Sequence, residues 1–228
     1  MFPSPQIKAE LATPQVVPTS QDVQARKGRF GGMMVVIHGL QGKPYTCTHD
    51  IEFNLDDTFF SCISTWVNRK ASPDEVSQSV CISLACYRLP DLFATIQSES
   101  QLQGIAELTS HSSCSWPTSG RLSLQIERHS KHYVIPLCPP VILTPDNCVD
   151  VSSFMSSGHN TFRLTQQGDL SEFAFVFHAH HPSDAQLAEL NAVAVASKRW
   201  KELVGWLGSP IGSQSPWVTF TSSSIPPS

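Results

Sequence analysis

Hydrophobic and polar positions along the chain follow two periods, one of two residues and one near 3.6. The period of two dominates from Trp116 to Pro182. There Leu122, Leu124 and Ile126 alternate with Ser123, Gln125 and Glu127, and Phe162 and Leu164 alternate with Arg163 and Thr165. Phe173, Phe175 and Phe177 alternate with Ala174, Val176 and His178. This is the pattern of a strand with one buried face. Three strands are predicted, with the Phe-rich ribbon as the common filling of two antiparallel sheets. A Pro-rich crossing (Pro136, Pro139, Pro140, Pro145) separates the first from the second. Between Asp150 and Asn160, Val151 and Phe154 are placed to plug the core while Ser152 and Ser153 turn the backbone. Gly158 supplies a positive φ, and the Asn160 side chain bonds local backbone as the next strand begins.

The rest of the chain adds further elements. Met33–Ile37 reads as a buried strand, residues 39–44 as its turn, and Tyr45–Leu55 as a second alternating run. Asp56-Asp57 can cap a short helix near 56–69, in which Phe59, Phe60, Ile63, Trp66 and Val67 recur at helical spacing. Lys70 to Glu75 reads as a loop. Val80, Ile82, Leu84 and Cys86 form one face of another strand, while Leu92, Phe93 and Ile96 fit either a short helix or a bent edge strand.

A long amphipathic helix over 184–207 follows. Ser183 and Gln186 are spaced for a capping box, and Gly208 and Pro210 end the helix. Its apolar stripe includes Leu187, Leu190, Val193, Trp200, Leu203 and Leu207. The stripe is expected to pack on the sandwich, because Trp200 and Trp206 in solvent would leave a sizeable apolar patch. The architecture expected is therefore mainly β: an antiparallel, jelly-roll-like β-sandwich over 29–208 with a C-terminal helix. Residues 1–28 and 209–228, rich in Pro or Ser without periodicity, read as disordered tails.

Composition narrows the function classes. A chain of 228 residues holds one domain with a sizeable core. Its net charge is −4, and basic residues cluster only at Arg26-Lys27-Arg29 and Lys198-Arg199. Direct nucleic-acid binding is not expected. No apolar run approaches the ~20 residues that span a bilayer, and Met1-Phe2-Pro3-Ser4-Pro5 lacks a signal-peptide core. A nuclear or cytoplasmic protein, not secreted and with no membrane attachment, is expected. The seven cysteines then read as reduced thiols, with no C-x-x-C pair among them. Cys81 and Cys86 fall on opposite faces of one strand and cannot share a metal.

Candidate chemistry is sparse. His178 and His180 share a strand face, the spacing of two metal ligands, with Asp184 or Cys148 as a third. The preferred reading makes them surface or rim residues opposite the Phe face, since histidines often match ligand spacing by chance. No nucleophile elbow, phosphate loop or dinucleotide fingerprint occurs, and Asp56-Asp57 and Asp74-Glu75 read as helix caps. No catalytic residue, metal site or cofactor is assigned.

One stretch resembles a known family. Trp116-Pro117, the run Gly158-His159-Asn160-Thr161-Phe162-Arg163-Leu164, and Phe175-Val176-Phe177-His178 running to His181-Pro182-Ser183 resemble the PINIT domain of SUMO E3 ligases of the PIAS, Siz and Zmiz type. The resemblance implies a β-sandwich used for protein recognition ahead of a zinc-binding SP-RING. No cysteine follows Cys148 and no histidine follows His181, so the chain lacks that zinc module. It is expected to be a stand-alone recognition module or a truncated fragment. Ile7-Lys8-Ala9-Glu10 matches the hydrophobe-Lys-x-Glu pattern of SUMO attachment, which makes Lys8 a candidate modification site.

The expected function is non-catalytic recognition of a protein partner, a SUMO-pathway substrate or a transcription factor. Recognition is assigned to the loop from Cys148 to Asn160, taken as exposed, and to strand edges, with Asp150, Gly158, Asn160 and Trp116 as candidate residues. Two alternatives stand beside it. One is a carbohydrate-binding jelly roll using Trp116. The other is a metal-dependent enzyme using His178 and His180.

Overall fold

A computed structural model describes residues 34–69, 73–98, 108–109, 112–128 and 130–207. Lys8, the two expected tails and the helix stop at Gly208 and Pro210 lie outside the described residues.

The alternating runs become two four-stranded antiparallel sheets packed together. The first contains β1 (Met34–Gln41), β3 (Cys81–Arg88), β6 (Val149–Asp150) and β8 (Phe173–His180), in the order β1-β8-β3-β6. The second contains β2 (Cys47–Leu55), β4 (Arg121–Arg128), β5 (Lys131–Pro136) and β7 (Gly158–Gln167), in the order β2-β7-β4-β5. Each pairing is antiparallel. The fold is mainly β, as the alternation predicts.

Phe175 and Phe177 are fully buried between the sheets, and Phe173 packs at the margin of that core. Phe162 of β7 lies 5.5 Å from Phe177, centroid to centroid, and stacks on Phe53 of β2 at 5.7 Å. Rings from both sheets therefore interdigitate, and burying side chains of this size supplies the main favourable term of folding.

Local signals set the helix starts. The Asp56 carboxylate accepts from the Phe59 amide at 2.7 Å and begins α1 (Asp57–Asn68). Gln186 Oε1 accepts from the Ser183 amide at 2.9 Å, and Ser183 Oγ accepts from the Gln186 amide at 3.2 Å. This capping box starts the C-terminal helix (Asp184–Leu207). Residues 73–75, read as loop, instead open a short helix, α2 (Pro73–Ser77). Proline's fixed φ suits the first helical position, and Asp74 and Glu75 fall in the first turn. The 92–96 ambiguity resolves as α3 (Leu89–Ser98); the C-terminal helix is α4.

Two turn assignments are corrected. Gly39, Leu40 and Gln41 do not turn but continue β1 beyond a register shift between Val36 and His38. The chain reverses afterwards, where the Gly42 amide donates to the Phe173 carbonyl at 2.9 Å. A Cβ on Gly42 would sit 2.0 Å from the Leu170 carbonyl oxygen, so this close approach requires glycine. Gln166, fully buried, ties the same turn by donating to the Lys43 and Tyr45 carbonyls at 2.7 and 2.9 Å. The second correction is β5 itself, which forms where a Pro-rich crossing was expected.

A second core covers the outer face of the first sheet. Ala85, Tyr87 and Val176 pack there with Leu92 of α3, Leu108, Cys114 and Cys148. β3 is consequently buried on both faces from Cys81 to Tyr87.

The chain divides into two compact units, Met1–Ala188 and Glu189–Ser228. In the second, Val193, Trp200, Leu203, Trp206 and Leu207 are among the large apolar side chains of the C-terminal helix.

Candidate functional site

β8 carries His178 and His180 on the face shared with Ala174 and Val176, as parity requires. That face is not a rim. Both histidines are fully buried, because the second core closes over it. Tyr87 Oη lies 3.1 Å from His178 Nε2, and Ser83 Oγ lies 2.9 Å from His180 Nε2. His180 Nδ1 lies 2.8 Å from the His181 carbonyl, which therefore accepts, so Nε2 of the neutral ring accepts from Ser83. Burial, aided by the proximity of His180, holds His178 far below the ordinary imidazole range, at about 3; His180 is lowered by the same cause. Among the described residues no three His, Cys, Asp or Glu side chains converge on one point. The histidines are buried and neutral, bonded to hydroxyls and backbone, and the rim reading is corrected to a buried polar layer.

The Asp150–Asn160 segment is also built inward. Asp150 Oδ2 accepts from Trp66 Nε1 at 2.9 Å and lies 3.7 Å from the Arg69 guanidinium, while Oδ1 accepts from the Ser152 amide at 2.9 Å. Val151 is fully buried, and Ser152–Phe154 forms one 3-10 turn. Gly158 has φ +81°, the left-handed conformation its position in the sequence called for. Asn160 is buried and closes the loop on itself: Nδ2 donates to the Ser156 and Gly158 carbonyls at 2.9 and 3.0 Å, and Oδ1 accepts from the Ser156 amide at 2.9 Å. Cys148, Val149, Val151, Ser152 and Met155 are buried too. The segment is anchored in the core through these residues, while Ser153, Ser157, Gly158 and His159 are exposed.

Trp116 is half-buried against the inner core, with its indole N–H donated to the Asn147 carbonyl at 2.7 Å. Asp150, Asn160 and Trp116 thus spend their polar atoms within the fold. Arg128 donates to the Ser153 carbonyl and further pins the segment.

Strand edges, the other part of the recognition assignment, include one on β5, a strand that the sequence reading did not predict. β5 ends its sheet, and five of its six residues, Lys131 to Val134 and Pro136, are exposed. Its register pairs Ile126 with Tyr133 and Leu124 with Ile135. One step further, the Leu137 amide donates to the Leu122 carbonyl at 2.8 Å. Antiparallel pairs alternate between bonded and non-bonded, so Tyr133 and Ile135 turn their amides and carbonyls to β4. His132, Val134 and Pro136 turn theirs outward. Pro136 lacks an N–H at an outward position, where none is needed for the ladder.

The side chains on this edge are partly apolar. Val134 is 58% exposed on the outer face of the sheet, beside the polar β4 residues Gln125 and Glu127. Tyr133 faces the other way and meets Phe154 edge-on at 5.2 Å. Beyond the bridge between Leu137 and Pro140, Val141 and Ile142 are 80% and 81% exposed. The available signal was the β-prone run Tyr133-Val134-Ile135, masked by its shortness and by the prolines that follow.

No family model, curated protein or solved structure matches the chain. No helix among the described residues is long and apolar enough to cross a membrane.

Proposed function

We propose that the protein is a non-catalytic protein-recognition module that takes an extended segment of its partner as an added strand on β5. The observation that carries this reading is the outward row of backbone groups at His132, Val134 and Pro136 at the end of a sheet. Strand addition draws its affinity from main-chain hydrogen bonds and its specificity from alternate side chains. Here alternate partner residues would lie next to Val134 on one face and Tyr133 on the other. The neighbouring Val141-Ile142 pair offers further apolar area of the kind that marks contact surfaces. The resemblance to the PINIT domain of SUMO E3 ligases accords with recognition as the role and makes a SUMO-pathway substrate or transcription factor the partner proposed, in the nucleus or cytoplasm.

The test is selection of peptides from a displayed random library on the immobilised protein, followed by affinity measurement by fluorescence anisotropy. Val134→Pro removes one outward N–H and adds a ring where Pro136 shows that proline fits. Affinity should fall about tenfold or more, the worth of one to two hydrogen bonds at this interface, with the thermal midpoint little changed. Selected peptides that bind the variant as tightly as the wild type, or a selection that yields none, would contradict the proposal.

A further inference from the structure

The Cys114 and Cys148 sulfurs face each other at 3.4 Å inside the second core. They come from segments 34 positions apart, one leading into β4 and the other into β6. Both backbones are held in place. The Ser115 amide donates to the Cys86 carbonyl at 2.8 Å, and Trp116 Nε1 donates to the Asn147 carbonyl at 2.7 Å. On the other side, Thr144 Oγ1 accepts from the Cys148 amide at 3.1 Å, and the Thr144 amide donates to the Cys148 carbonyl at 2.8 Å. The apposition is therefore fixed by four bonds outside the sulfurs themselves. A disulfide has its sulfurs about 2.05 Å apart, closer than the 3.4 Å between this pair.

Two other thiols have different settings. Cys86 packs in the inner core, on the opposite face of β3 from Ala85 and Tyr87, which line the second core with Cys114. Cys138 donates to the Ser119 carbonyl at 3.1 Å.

We infer that Cys114 and Cys148 are an oxidisable dithiol, which a hydroperoxide converts to a disulfide joining the approach to β4 with β6. Cys114 is the more exposed of the two, at 8% against 1%, and reacts first. Its sulfur, having lost its proton, attacks a peroxide oxygen. The O–O bond breaks, a sulfenic acid forms, and the departing oxygen takes the thiol proton and leaves as water. The Cys148 sulfur then attacks the sulfenic sulfur, the S–O bond breaks, and a second water leaves with the remaining proton. Two thiols give up two electrons in total, and one hydrogen peroxide becomes two waters. The reduced pair is the resting state, and the disulfide closes a loop that contains β4 and β5.

Closing a loop of this size restricts the unfolded chain, and the thermal midpoint should rise by roughly 5–10 °C. The experiment exposes the purified full chain to excess hydrogen peroxide, blocks free thiols with iodoacetamide, and reads intact mass, cross-linked peptides and melting. A protease cutting ahead of Asp146 and Asp150 separates Cys148 from Cys138, and trypsin, cutting after Arg121, Arg128 and Lys131, separates Cys114 from Cys138. Against a reduced and alkylated control, the expected result is two fewer carbamidomethyl groups and two fewer hydrogens per chain, a single Cys114–Cys148 cross-link, and a raised midpoint that dithiothreitol reverses. Cys114→Ala and Cys148→Ala should each abolish both the cross-link and the rise. Should a variant not fold, the wild-type cross-link map decides alone. Linkage of either cysteine to a different thiol would overturn the inference. So would over-oxidation of Cys114 with Cys148 left free, or two thiols that stay fully alkylatable after peroxide.

Discussion

His178 shows how far a residue's meaning depends on what covers it. Its place on β8 was readable from parity, yet nothing local to β8 announces that Leu92, Leu108 and the two cysteines close over that face. Residues whose partners lie within a few positions were legible: Asp56 capping Phe59, Ser183 with Gln186, and Asn160 with Ser156. Gly42 was legible only as a turn residue, because its requirement comes from Leu170, far along the chain. The burial of His178 has a measurable consequence. The folded state keeps the ring neutral down to about 3, whereas the unfolded ring takes a proton near its ordinary value of about 6.5. As pH falls through that window the unfolded state binds the extra proton, so stability present above pH ~6.5 is lost progressively below it. Urea midpoints measured from pH 7 to pH 4 should fall, and His178→Gln, which keeps a partner for Tyr87 but does not titrate, should flatten the decline. An unchanged slope in the variant would show that the histidine is charged or solvated in the folded protein.

At the scale of elements, the strands with one apolar face were read with nearly correct bounds, since alternation directly encodes a half-buried strand. One strand was read only in part and another was missed, for opposite reasons. β3 is buried on both sides, so its alternation gave one face and hid the second. β5 is exposed on nearly every residue, so it offered no buried face to detect. The same exposure makes it the candidate recognition edge, with Lys131 at one end and Pro136 at the other to limit indiscriminate pairing. Parity gives an internal control for strand addition. Ile135→Pro deletes an amide that bonds β4 and should lower stability by about 3 kcal/mol or more, whereas Val134→Pro should leave the denaturation midpoint close to wild type. Equal losses in the two variants would mean that the register of β5 differs from the one described.

The whole first unit is a sandwich with a covered flank, and its two cores differ in how they arise. The inner one follows from strand periodicity. The outer one gathers α3, Leu108 and the two cysteine-bearing segments onto Ala85, Tyr87 and Val176, and only the fold brings them together. If that flank is a true core, Leu92→Ala should cost about 2–5 kcal/mol in equilibrium denaturation, the range of a buried leucine. A cost below about 1 kcal/mol, typical of surface positions, would mean the flank is a loose cover. The central functional claim is that β5 receives a strand, and amide hydrogen exchange of the protein alone and with a selected peptide tests it most directly. The account predicts that the His132 and Val134 amides exchange fast in the free protein and become protected together on binding. Fast exchange at both positions in the complex, with protection appearing on another surface, would contradict it.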